Sequence, residues 1–229
     1  MKKAFFLVLS FIILVISSAC RRSPDVVTVA PEPARVIANY QTGDIIEFGG
    51  LRWLVLDVQD GYALIITENV KMIGDGRYNH MGLSVSWANS SVRQYLNTEY
   101  LENFNTAERA RIRETYIETD NNPWYGTNGG GGIRDRVFFL SLEEVVRYFG
   151  DSGQLPYRPD DWIIGWISDD YNSARRARDE DGNAAFWWLR SPGSIARLAS
   201  GIDPQGVIWM YGTGVSNSLP ARPALWLRL

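Results

Sequence analysis

A chain of 229 residues with one cysteine, Cys20, and one histidine, His80, has almost no covalent or metal staple available to it. Disulfide frameworks, zinc sites and Cys-His pairs all need more such residues. Its fold must therefore come from burial alone. With 45% hydrophobic residues and nine tryptophans, the chain carries enough apolar material for one domain of ordinary size. The formal net charge of −3 provides no global basic field, so a general nucleic-acid partner is not expected.

The amino end has its own logic. Lys2 and Lys3 precede an uncharged apolar run from Ala4 to Ile16, followed by Ser17, Ser18, Ala19 and Cys20. This reads as an export signal, and it falls short of the roughly 20 apolar residues a spanning helix needs. Ile16-Ser17-Ser18-Ala19-Cys20 resembles a bacterial lipobox, with Ser17 standing where the usual pattern has leucine. That resemblance implies a cysteine diacylated through sulfur, hence a lipid anchor at Cys20 and a place in the cell envelope, periplasmic or on the cell surface. The alternative is cleavage after Ala19 that leaves a free thiol. Residues 1–19 are then signal peptide and residues 20–38 a tether, in which Pro24, Pro31 and Pro33 interrupt any regular period. Residues 39–229 form the domain.

Three β-rich runs open that domain: Asp44 to Phe48, Leu51 to Val58 and Tyr62 to Thr67. Asp60-Gly61 between the last two is a strong hairpin signal, and the run around Trp53 is apolar on both faces, as a central strand should be. From Ser91 to Phe104 the period becomes helical, with Ser91 and Gln94 at capping-box spacing, and a second helix is expected near Asn105 or Thr106. Ser141 to Phe149 is the clearest helix, boxed by Ser141 and Glu144 and stopped by Gly150. Four further runs turn β-like again: Phe186 to Arg190, Ala196 to Ile202, Gly206 to Tyr211 and Pro223 to Leu227. Strands at both ends around a helical middle describe an α+β fold with short antiparallel sheets, two to three helices and long loops. The loops Asn121 to Gly132 and Asp151 to Asn183 are long enough to suggest function.

Familiar chemistry is scarce. No GK[ST] follows Gly129 to Gly132 and no G-x-G-x-x-G opens a helix, so no phosphate cradle is present. Asp160-Asp161, Asp169-Asp170 and Asp179 to Asp181 offer oxygen ligands for Ca²⁺, but Ala177 and Trp188 stand where an EF-hand needs ligands. A solvated acidic loop paired with Arg175, Arg176 and Arg178 is the better reading; Ca²⁺ stays a weak expectation, and no cofactor or metal site is otherwise indicated. His80 lacks a G-x-S-x-G elbow to serve and reads as a loop residue. A carboxylate pair for glycoside hydrolysis has no sequence signature of its own. Trp162, Trp166 and Trp209 lie among Gly, Pro and Asp residues and suit contact with carbohydrate or peptide, whereas Trp53, Trp187 and Trp188 read as core.

Five strings then follow in order: Tyr78-Asn79; Trp87 with Asn89 to Arg93 and Tyr95 to Asn97; VFFLSLEEVVRYF from Val137; WWLRSPG from Trp187; and RPALWL from Arg222. Together they resemble the bacterial domain of unknown function 6273 over roughly Asn39 to Leu229. The closing WWLRSPG and RPALWL strings also resemble the C-type-lectin-like fold of formylglycine-generating-enzyme relatives and of retroelement-diversified variable proteins. This resemblance implies terminal strands that pair and a ligand-facing segment between the two strings, here Ser194 to Ala221. Pro220-Ala221 departs from the glycine that commonly precedes the final Arg-Pro-Ala. The enzymatic branches of that fold use paired cysteines or several histidines, and neither set is present beyond Cys20.

The expectation is a lipid-anchored, non-catalytic binding module whose ligand is a surface glycan, peptide or protein. Within Ser194 to Ala221 the ligand-binding residues are expected to be Arg197, Asp203, Gln205, Trp209, Tyr211 and Asn217, with the two aromatics as stacking faces. Arg190 and Arg222 are expected to hold the scaffold. The alternatives are an envelope assembly lipoprotein with one fixed protein partner and, third, a carboxylate-dependent hydrolase.

Overall fold

The computed structural model describes residues 39–160 and 165–229; the expected signal, Cys20, the tether and Trp162 lie outside the described residues. Two tight turns join β1 (Ile45–Phe48), β2 (Leu51–Gln59) and β3 (Tyr62–Thr67). Gly49 and Gly50 have φ of +57° and +71°, and Asp60 and Gly61 have +52° and +77°. Paired positive φ values give the turn twist that matches antiparallel strands. Gly49 is required a second way, because a Cβ there would lie 2.3 Å from Cε1 of Phe104. β2 is central as its pattern predicts, with a bulge between Val55 and Asp57 where Val55 and Leu56 are both buried.

Helices occupy the middle. α1 (Ser91–Leu96) is capped by the Ser90 hydroxyl, which accepts from the Arg93 amide at 3.3 Å, one residue earlier than the spacing of Ser91 and Gln94 suggested. Ser91 Oγ instead accepts from the His80 amide at 3.0 Å. The helix stops at Leu96, and a 3-10 turn (Glu99–Asn103) carries the remaining period. α2 (Thr106–Arg111) begins under an Asn105–Glu108 capping box. α3 (Leu142–Phe149) follows its sequence closely: Ser141 and Glu144 cap each other and Gly150, at φ +93°, ends the turn. A single turn, α4 (Asn172–Arg175), was not anticipated. Nor were two small ribbons, β4 (Thr115–Thr119) with β5 (Gly131–Asp135) and β7 (Ala177–Arg178) with β8 (Ala184–Ala185).

A second sheet of order β6-β11-β10-β9 is built from β6 (Trp166–Ile167), β9 (Trp187–Pro192), β10 (Leu198–Ile202) and β11 (Ile208–Gly214). Trp187, Ile202, Ile208 and Ile167 pair across its four strands in one row, each 0% exposed. That row is the core face. β12 (Ala224–Arg228) leaves this sheet and pairs antiparallel with β3, completing the first sheet as β1-β2-β3-β12. The terminal strands thus share a sheet without pairing, since β2 and β3 stand between β1 and β12. Ala221 joins the two sheets, bridging both Lys71 and Trp188.

Buried arginines tie these layers. Arg190 donates to the Phe139 and Glu118 carbonyls at 2.8 Å each and to the Glu144 carboxylate. Arg222 donates to the Thr67 carbonyl at 2.8 Å, with its guanidinium 5.2 Å from the Trp187 ring centroid. Both hold the scaffold. Arg175 departs from its expected place in a solvated loop: it is fully buried and pairs with Asp169 at 2.9 Å. The reason is local, because Arg175 also donates to the Gly150 carbonyl and so clamps the end of α3 to α4. The architecture is α+β, with several short antiparallel sheets and few helices.

Candidate functional site

From Ile208 to Tyr211 the side chains of β11 alternate between buried and exposed. Ile208 and Met210 are fully buried, while Trp209 and Tyr211 are 38% and 51% exposed. Trp166 of β6 lies directly opposite Trp209 in the register and is 42% exposed, so two indole rings share one face of the edge pair. On the other side of Trp209 the register places Gly201 and then Trp188. Phe186 fills the space above Gly201, its Cζ only 2.0 Å from where a Cβ would sit, and Trp188 is buried. The row therefore runs from covered at β9 to open at β6.

Two loops extend the open part. Tyr125 packs edge-on against Tyr211 with centroids 6.0 Å apart, and the Arg158 guanidinium lies 4.5 Å from the Tyr125 centroid. Burial raises the Tyr125 hydroxyl above its ordinary range, Arg158 working in the opposite direction and Tyr211 in the same one. Gly165 makes the meeting of these rings feasible: a Cβ there would lie 2.8 Å from Tyr211 Cβ and 3.4 Å from the Tyr125 hydroxyl. Asn122 anchors the loop, donating through Nδ2 to the Pro192 and Met210 carbonyls at 2.9 Å each.

The polar residues expected at the site divide between two places. Asp203 organises the β10–β11 turn: Oδ1 accepts from the Gln205 and Val207 amides at 2.8 and 3.0 Å, and Oδ2 accepts from Trp209 Nε1 at 3.2 Å. It positions the indole and is itself occupied. Gln205 is exposed on the same turn, its carbonyl accepting from Arg176. Arg197 and Asn217 sit at the opposite end of the ladder, where Leu198 pairs with Gly214, about 13 Å away at the usual strand rise. There Asn217 donates to Thr213 Oγ1 at 2.9 Å. Ser194 to Ala221 is thus two surfaces, separated along the ladder by the buried run Ala199 to Ile202 of β10. Of the six expected residues, Trp209, Tyr211, Asp203 and Gln205 belong to the aromatic end, and Arg197 and Asn217 do not.

A family model described as "Domain of unknown function (DUF6273)" matches residues 60–229, about three quarters of the chain. The chain belongs to the DUF6273 family. No curated protein matches it, and no solved structure does. The DUF6273 match begins at the Asp60–Gly61 turn and takes in every strand from β3 to β12. Within it, the five strings first noticed in the sequence do scaffold work. Trp87 Nε1 and Arg93 Nε both donate to the buried Asp135 carboxylate at 2.8 Å. Asn97 donates to the Val137 carbonyl and accepts from the Arg136 amide. Tyr78 donates to the Arg190 carbonyl, and Trp188 Nε1 to the Gly76 carbonyl. The exposed rings of Trp166, Trp209 and Tyr211, and the half-buried Tyr125, lie outside those strings.

The remaining polar groups of the DUF6273 domain are mostly engaged. His80 Nδ1 contacts Asp75 Oδ2 at 2.9 Å, and Arg77 lies 3.8 Å from the same carboxylate. Burial pushes Asp75 up, but the Arg77 amide and His80 outweigh it and hold it below its usual range. In the cleft beside Val70 and Pro220, Asp179 accepts from Asn183 and Glu180 pairs with Lys71. Among the described residues, no three His, Cys, Asp or Glu side chains converge as a metal-binding group, and no helix is long and apolar enough to cross a membrane.

Proposed function

We propose that this DUF6273 chain is a lipid-anchored carbohydrate-binding module of the bacterial envelope, non-catalytic and built on a C-type-lectin-like domain. The observation that carries the reading is the unroofed face of Trp166, Trp209 and Tyr211, extended by Tyr125. A soluble domain that leaves large rings clustered on one sheet face carries the mark of an interaction surface. Aromatic rings exposed side by side on one sheet face, with Tyr125 set edge-on to Tyr211, suit the apolar faces of sugar rings, which stack without needing enclosure. Asp203 fixes the Trp209 indole and so reduces the ordering cost of binding. Acyl chains on Cys20 would hold many copies on one surface, where weak single-site affinity multiplies by avidity.

Replacing both Trp209 and Tyr211 by Ala is expected to lower retention on an array of bacterial surface glycans by about thirtyfold per ring, with unchanged circular dichroism. Full retention would discard this face. Absence of glycan binding together with a stoichiometric co-purifying protein would favour the envelope-assembly reading, and turnover of a bound glycan would favour the hydrolase. For the anchor, Cys20→Ser should move the protein from detergent to aqueous phase.

A further inference from the structure

The segment that follows α2 runs along the free edge of β12. An antiparallel bridge between Ile112 and Leu227 sets Arg111 opposite Arg228, and the Arg113 amide donates to the Trp226 carbonyl at 2.8 Å. Arg228 is in turn the register partner of Tyr62, and the Arg113 guanidinium lies 4.6 Å from the Tyr62 centroid. Three arginines therefore gather at one corner of the first sheet, beside the end of β12. None is within ion-pair distance of a carboxylate among the described residues, although Glu114 adjoins Arg113 in sequence and Asp60 lies in the turn beside Tyr62. They are held by aromatic rings and carbonyls: Arg111 Nε donates to the Arg228 carbonyl at 3.0 Å and its guanidinium lies 5.6 Å from the Phe48 centroid.

This is an unusual arrangement for a chain of net charge −3. Like charges held close together repel, and here Arg111 and Arg228 flank the single Ile112–Leu227 bridge. An external anion would relieve that repulsion, and the rings and carbonyls leave the outer guanidinium N–H groups to receive it. We infer that the Arg111, Arg113 and Arg228 corner is a docking surface for the phosphate groups of an anionic lipid bilayer. The occupant follows from charge complementarity and from the anchor, which would hold the domain within reach of headgroups all the time. A domain with an acidic remainder and one basic corner would then be oriented, with that corner facing the bilayer. The inference rests on the anchored part of the functional reading and is independent of the glycan.

Hydrogen exchange of the full acylated chain, mixed with vesicles of phosphatidylcholine or of phosphatidylcholine with phosphatidylglycerol, tests it. Amides of residues 110–114 and 225–229 are expected to exchange about tenfold more slowly on the anionic vesicles, with the difference lost at high salt. Arg111, Arg113 and Arg228 changed together to Gln should abolish that protection, and the same three changed to Lys should keep it. Equal exchange on the two vesicle types would overturn the docking surface, as would protection that survives the Gln variant. Protection reproduced by inorganic phosphate over neutral vesicles would overturn the lipid as occupant. Flotation with neutral vesicles reports the anchor separately, so a failure of either part is recognisable. If the Gln variant does not fold, the salt dependence and the Lys variant still decide.

Discussion

Gly165 shows how much one missing side chain determines. Its neighbours leave no room for a Cβ beside Tyr211, so Gly165→Ala should displace Tyr211 from Tyr125 while leaving the buried row of the second sheet intact. The expected outcome is a loss of glycan affinity of about tenfold with little change in melting temperature, read by titration and by thermal scan on the same sample. Asp169 makes the complementary case inside the molecule. Burial pushes its carboxyl up, but hydrogen bonds from Arg175 and from the Ser152 amide outweigh that and hold it below its ordinary value. A folded value below the unfolded one contributes stability that is complete above about pH 4 and is lost as the pH falls through the folded value. Asp169→Asn leaves Arg175 buried without its charge partner, so unfolding in urea should become easier by about 3 kcal/mol at neutral pH. The acid limb of the variant's stability curve should be flatter than that of the native chain; an unchanged limb would show that Asp169 does not titrate in that range.

At the scale of elements, the loop carrying Tyr125 depends on one amide. Asn122 is 1% exposed and satisfies two carbonyls from different strands as well as the Trp124 amide. Asn122→Ala strands those groups, and a cost of about 2 kcal/mol is expected in denaturant unfolding, with faster hydrogen exchange confined to residues 121–130. No pattern of three or four residues announces such a role, which is why the sequence pointed to the loop by its length and not to Asn122. Elements marked by a turn or cap signal are readable: the β2–β3 hairpin from Asp60-Gly61, and α3 from its capping box and apolar stripe. β4 and β5, five residues each without such a signal, are not, and neither are elements of two residues such as β6. Trp166 was recognised as a tryptophan in polar surroundings, yet only its pairing with Trp209 makes it part of the face. Arg197 and Asn217 fall away for a related reason: the two β-like runs are legible, but a segment taken as one ligand-facing surface is folded by the β10–β11 register into two separate ends.

For the whole molecule, the family strings and the candidate site prove to be different sets of residues. Trp87, Arg93, Asn97, Tyr78, Trp188 and Arg190 engage their polar atoms with the Asp135 and Glu144 carboxylates and with backbone, so the strings build a frame. The frame also places an unusual burden on the carboxyl end. Ala224, Leu225 and Leu227 of β12 are all buried, and removal of residues 224–229 is expected to cost more than the 5–15 kcal/mol a domain typically has. The truncated chain should lack near-ultraviolet dichroism, and a sharp cooperative melt from it would contradict this picture.

The seam at Ala221 has a bearing on how such a chain matures. One short stretch near the carboxyl end both ties the sheets and delivers the final strand, so contacts spanning more than 150 residues must wait for it. If the chain is exported amino end first, it stays unsealed during passage and closes only after its last residues have arrived.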